Sequence, residues 1–216
     1  MIKPYKSKEV PKSVHSVRFA DIKVFAALGD SLSAGNGANA RGPLGLLKEF
    51  RGVSFVGGDM TLEEHITIPN VLRKFNPNLF GYSTGTGKWN SWKVSKLNMA
   101  IPGSEAKDMP VQAQRLVDVM RQRNEINITN DWKLVNIFVG GNDVCRHCHE
   151  LHTNRSTVQQ EIMDEGLFDS SDDFALVLQP FAKGIDHPPL TDCPLFPTTK
   201  NSKNCTAYMT PSVLDG

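Results

Sequence analysis

The chain has 216 residues, 39% apolar and 22% charged, proportions that suit one globular domain able to bury a sizeable core. Its 24 Lys and Arg nearly cancel 23 Asp and Glu, leaving a net charge of +1 and no electrostatic footprint for a nucleic-acid partner. No apolar run approaches the roughly 18 residues of a membrane-spanning helix, and the basic, polar start MIKPYKSKEVPKS lacks the apolar centre of a signal peptide. The expectation is either a cytosolic protein or a piece of a longer secretory precursor.

Residues 1–20 carry Lys, Pro and Ser without periodicity and read as a lead-in. Val24-Phe25-Ala26-Ala27-Leu28 is a continuous apolar run that stops at Gly29-Asp30-Ser31, the pattern of a buried parallel strand entering a turn. Small residues follow from Ser33 to Ala38 and permit close backbone approach around the serine. Gly57-Gly58-Asp59 and Gly85-Thr86-Gly87 mark turns, and Ile68–Phe75 reads as a helix with Pro69 in its first turn. After Pro110, the spacing of Ala113, Leu116, Val117 and Met120 predicts an amphipathic helix. Leu134–Val139 is a second buried-strand candidate, ending in Gly140-Gly141-Asn142-Asp143, and Phe174–Leu178 is a third. The tail beyond is rich in Pro, Thr, Asn and Lys. Strands separated by helical stretches indicate an α/β domain with a mostly parallel sheet. The resulting division is a lead-in at 1–20, an α/β domain at 21–181 and an irregular tail at 182–216.

Three places carry chemistry. A nucleophilic serine must stand clear of its own backbone at the carboxyl end of a parallel strand, and Ser31 has that position. The turn Asn98-Met-Ala-Ile-Pro-Gly103-Ser-Glu-Ala brings backbone N–H groups to the surface, and Asn142 supplies an amide after the second strand. Acyl transfer develops negative charge on a carbonyl oxygen, and each donor aimed there contributes about 2.7–4 kcal/mol. The N–H groups of Ser31 and Gly103 and the Asn142 amide are candidates for such an oxyanion hole. A turn glycine and a strand-end cap are the plainer readings of Gly103 and Asn142, taken singly.

GDSLSAGNG, NMAIPGSEA and VNIFVGGNDVC resemble the first three signature blocks of the SGNH (GDSL) hydrolase superfamily. RGVSFVGGD, IPNVLRKFNP, GYSTGTGK and QAQRLVD resemble its phospholipase B branch in the same order, so the likeness is dense over 10–150. The resemblance implies a flavodoxin-like three-layer α/β/α fold, incomplete here at the C-terminal end. It also implies metal-free, cofactor-free hydrolysis of phospholipid and lysophospholipid acyl esters at a membrane surface. Ser31 would be the nucleophile, Gly103 and Asn142 would complete the oxyanion hole, and the setting would be extracellular or at the plasma membrane. No protein partner is expected.

The family's fourth element, an Asp-x-x-His pair supplying the general base, has no counterpart. Asp192-Cys-Pro-Leu195 carries leucine where the histidine stands, and the segment between the Gly-Gly-Asn-Asp block and Phe174 is shortened. His187, directly after Asp186, is the displaced candidate for the base; an exposed loop histidine is the plainer reading. The competing expectation is a lipid-binding pseudoenzyme or a truncated isoform without turnover. Cys145-Arg-His147-Cys148-His149-Glu-Leu-His152 invites a zinc assignment. However, the remaining cysteines, Cys193 and Cys205, have no finger-like spacing to it, and disulfides suit an extracellular esterase better. Sequons at Asn127, Asn154 and Asn204 lean the same way.

Overall fold

The run of apolar residues after Asp21 becomes the centre of the sheet. In the computed structural model, which describes residues 6–146, β1 spans Ile22–Gly29 and pairs in parallel with β2, Trp132–Phe138. The described residues fall within one of the chain's two compact units. On its other edge β1 is met by short segments rather than by a full strand. Phe25 N–H donates to Phe80 O, Ala27 N–H to Leu97 O, and Met99 N–H returns to Ala27 O. The bridges Val24–Phe80 and Ala27–Asn98 are both parallel. The order 97–101, β1, β2 means that the chain winds to one side of β1 and then crosses to the other, as doubly wound sheets do.

Both faces of β1 are covered, which is why its sequence is continuously apolar rather than alternating. Val24, Ala26 and Leu28 pack with Leu97, Met99, Leu116, Met120 and Ile126. Phe25 and Ala27 pack on the opposite face with Val56, Leu72 and Leu79. The first cluster includes helix α4, Met109–Arg121, and the second helix α2, Ile68–Phe75. Sheet between helices makes the three-layer α/β/α arrangement. Shorter helices are α1, Ser31–Ala34, α3, Trp92–Ser95, and α5, Gly141–Arg146.

Helix α2 begins as its sequence dictates, with Thr67 Oγ1 accepting from Asn70 N–H and Pro69 in the first turn, where its missing N–H costs nothing. Helix α4 buries Gln112, Leu116 and Met120, a strict four-residue stripe; Val117, expected on that face, is exposed. A second correction concerns β2. Leu134, Val135 and Ile137 are exposed, because β1 is its only strand partner among the described residues. The candidate strand at 174–178 lies outside the described residues. Near the start, Ser7 donates from N–H and Oγ to the Asp21 carboxylate, and Trp132 Nε1 donates to Pro11 O.

Candidate active site

The carboxyl ends of β1 and β2 lie side by side, since Gly29 is in register with Phe138. Ser31 follows β1 at the first position of α1 and is half-buried; its Oγ has no hydrogen-bond partner among the described residues. Asp30 caps that turn, accepting from Leu32 N–H at 2.9 Å. Gly29 is required by space and by backbone. Its φ is +150°, and a Cβ there would lie 2.3 Å from Phe138 O and 2.6 Å from Ser33 Oγ. The absence of that side chain lets β1 and β2 close up immediately before the serine.

Gly103 has φ +83°, and the space that a Cβ would fill is open. The next residue ties this turn to the end of β2, because Asn142 Nδ2 donates to Ser104 O at 2.7 Å. Asp143 makes a second tie, accepting from Ala106 N–H at 3.0 Å. One N–H of the Asn142 amide is therefore committed to holding the loop, and the other has no hydrogen-bond partner among the described residues.

The residue that joins the serine turn to the Gly103 turn is Gln112, which the spacing of α4 does not reveal. Its side chain is 1% exposed. Oε1 accepts from Gly29 N–H at 2.9 Å, while Nε2 donates to Gly29 O at 2.9 Å and to Ser104 Oγ at 3.0 Å. The N–H groups of Phe25 and Ala27 take main-chain carbonyls on this edge; at Gly29 the carboxamide takes that place. A continuous path thus runs from Gly29 through Gln112 and Ser104 to Asn142.

Asn98 and Arg51 make a second layer that sequence reasoning missed. Asn98 Nδ2 donates to Ser33 O at 2.9 Å, and its Oδ1 accepts from Ala100 N–H at 3.2 Å. The fully buried Arg51 guanidinium donates to Gly87 O, Asn98 O and Ala100 O and pairs with Glu49 at 2.5 Å. Buried polar side chains in such numbers must be bonded, and these are bonded to backbone carbonyls around the serine turn. Burial raises the Asp30 carboxyl above the usual aspartate range; the Leu32 N–H offsets part of this and the charge of Asp143 adds to it.

Asp186 and His187 lie outside the described residues, as do His147, Cys148, His149 and His152 of the zinc reading. No group of three metal-ligating side chains occurs among the described residues. No described helix is long and apolar enough to cross a membrane.

The family model for GDSL-like lipase/acylhydrolase matches residues 25–165. The chain is 48% identical over 145 residues to mouse (Mus musculus) membrane-associated phospholipase B1, covering 66% of this chain and 10% of that protein. It is 49% identical over 148 residues to the human (Homo sapiens) protein of that name, covering 67% and 10%. The rat (Rattus norvegicus) protein gives 46% over 148 residues. The chain therefore spans about a tenth of the length of these relatives. No solved structure gave a significant match. With a matched region that includes Ser31, Gly103 and Asn142, the chain belongs to the GDSL-like lipase/acylhydrolase family.

Proposed function

We propose that the chain is a carboxylic-ester hydrolase acting on phospholipid and lysophospholipid acyl esters, with Ser31 as nucleophile. The observation that carries this reading is the hydrogen-bonded path Gly29–Gln112–Ser104–Asn142, which holds the serine turn, the Gly103 turn and the Asn142 amide as one unit. Ser31 Oγ attacks the ester carbonyl carbon, and the oxygen that becomes anionic receives the N–H groups of Ser31 and Gly103 and the free N–H of Asn142. The serine proton passes to a base and then to the departing alcohol as the ester C–O bond breaks. Water then hydrolyses the acyl-serine and releases the fatty acid. In this reading His187, next to Asp186 in the sequence, is the candidate for that base, and the hydrolase domain occupies 21–181. The membrane-associated relatives support a lipid substrate and an extracellular or plasma-membrane setting.

A second reading is favoured by Leu195, which stands where the family carries its histidine. It makes the chain a lipid-binding module without turnover. Hydrolysis of a short-chain p-nitrophenyl ester, with fatty-acid release from lysophosphatidylcholine, separates the two. Turnover abolished by both Ser31→Ala and His187→Ala supports the enzyme. Turnover no higher than that of Ser31→Ala in a folded sample supports the module.

A further inference from the structure

After α1 the chain makes an excursion whose base is paired backbone and whose tip is apolar. The base is an antiparallel pairing: Gly37 N–H donates to Lys48 O at 2.9 Å, Phe50 N–H donates to Gly35 O at 2.9 Å, and Asn36 bridges to Glu49. The tip is the tight turn Pro43–Leu47, which presents Leu44 at 80% exposure, Leu46 at 59% and Leu47 at 81%. Single exposed leucines are ordinary on protein surfaces, but here three of four consecutive positions are exposed leucines, and clustered exposed apolar side chains are a feature of interaction sites. Leu32, immediately after Ser31, is also 60% exposed.

Two further features select the partner. Arg41 and Lys48 bracket the leucines, both exposed, and no acidic residue occurs from Ala34 to Lys48. Together with Pro43, Leu44 and Phe50 they line an open recess of about 500 Å³. Apolar side chains at the tip with cations at the rim match an anionic bilayer surface, where hydrocarbon lies beneath phosphate. The turn is also coupled to the nucleophile. Asn36 N–H donates to Ser31 O at 2.9 Å, and its Nδ2 donates to Leu46 O at 2.9 Å, so one asparagine spans the serine turn and the leucine turn. The exposed apolar residues of β2 differ in kind. They sit on a strand whose outer ladder groups have no strand partner among the described residues, and lipid would leave those groups unbonded.

We propose that the Pro43–Leu47 turn, with Arg41 and Lys48, is a membrane-docking element that seats the chain on a bilayer carrying anionic lipid, with the Ser31 turn held against it through Asn36. This rests on the lipid-ester reading for its purpose but not for its test, which needs no turnover. The full chain, and separately its Ser31→Ala variant, is sedimented with vesicles of phosphatidylcholine, with and without phosphatidylserine. Both proteins are expected to bind, more tightly with phosphatidylserine and less tightly as salt is raised. Changing Leu44, Leu46 and Leu47 together to Ser is expected to weaken binding at least about tenfold. Arg41→Gln and Lys48→Gln should each cost about fivefold on the anionic vesicles alone. Because the leucines are exposed, the triple variant should melt with the parent, which makes loss of binding separable from misfolding. Absence of parent binding to either vesicle, or equal binding by the triple variant, overturns the proposal. Self-association that depends on the leucines, without vesicle binding, overturns it in favour of a second copy as occupant. Ester turnover, read in lipid-free solution on the parent and Ser31→Ala, decides the catalytic reading independently.

Discussion

Replacing Gln112 by Leu removes the carboxamide that joins the serine turn to the Gly103 turn while keeping most of its volume. Three hydrogen bonds go, but their costs differ. Gly29 O retains Ile101 N–H at 3.1 Å, so its loss is slight. Gly29 N–H has Gln112 Oε1 as its partner and would be stranded in the interior, at about 1–3 kcal/mol. Ser104 Oγ loses its Gln112 donor, for about 1 kcal/mol more. The total, about 2–4 kcal/mol, is a large share of the 5–15 kcal/mol that typically separates folded from unfolded chains. At about 2–4 °C per kcal/mol for a chain of this size, the thermal midpoint should fall by roughly 4–16 °C. Near-UV circular dichroism with temperature, and urea midpoints at constant slope, measure this. In the same samples kcat on a p-nitrophenyl ester should fall by about a hundredfold, as displacement of reacting groups by an ångström does. Gln112→Glu keeps the acceptor for Gly29 N–H but sets an unpaired buried carboxylate oxygen against Gly29 O, so near neutral pH it should lose at least as much stability as Gln112→Leu. A Gln112→Leu protein that melts within two degrees or so of the parent with unchanged kcat would refute the clamp.

Gly29→Ala should be far more damaging, because its Cβ would meet Phe138 O at 2.3 Å at a φ of +150°. A loss of more than about 3 kcal/mol is expected, read as a collapse of soluble yield or of the melt. Asn142→Ala should lower kcat by about 10²–10³ with a smaller change in KM, and a change in KM alone would remove Asn142 from the oxyanion hole. Asp30 gives a pH test. Its folded pKa lies above the ordinary value of 3.8, so the folded state holds the proton more tightly. Its contribution is therefore greatest at low pH and is lost as pH rises from the unfolded pKa through the raised folded one. Asp30→Asn keeps an acceptor for Leu32 N–H, and its melting point should gain on the parent's as pH rises from about 4 to 7. Parallel profiles would refute that. Arg51→Met should cost about 3–5 kcal/mol in urea, since it leaves Glu49 and three backbone carbonyls without their donor.

What could be read in advance was whatever depended on apolar patterning or on a punctuating glycine. β1 announces itself because both its faces are buried, so its run is continuous, and Gly29 ends it where two backbones touch. Helix α2 shows its cap and its proline. The 97–101 segment reads as the start of a turn because Pro102 and Gly103 follow it; its pairing with β1 is a long-range fact that no local pattern encodes. Gln112, Asn98 and Arg51 were hidden for a different reason. A polar residue within an amphipathic stretch looks like a solvated one, and only the tertiary partners of its amide or guanidinium reveal it as interior. β2 departs from its pattern in the opposite sense. Its composition is that of a covered strand, and its exposure depends on what lies beside it.

The parallel sheet also shapes how the chain reaches this structure. Among the described residues, β1 takes its ladder partners from chain far downstream, with Phe25 bonded at Phe80, Ala27 at Leu97 and Ile22 in register with Trp132. No hairpin among them nucleates the ladder, so long loops must close before β1 gains its first partner, the condition that makes folding slow. During synthesis Val24-Phe25-Ala26-Ala27-Leu28 emerges about a hundred residues ahead of β2 and stays without that partner until residues beyond 130 have been made. Until then an unpaired apolar strand is open to aggregation, and it is the same strand that later presents the serine.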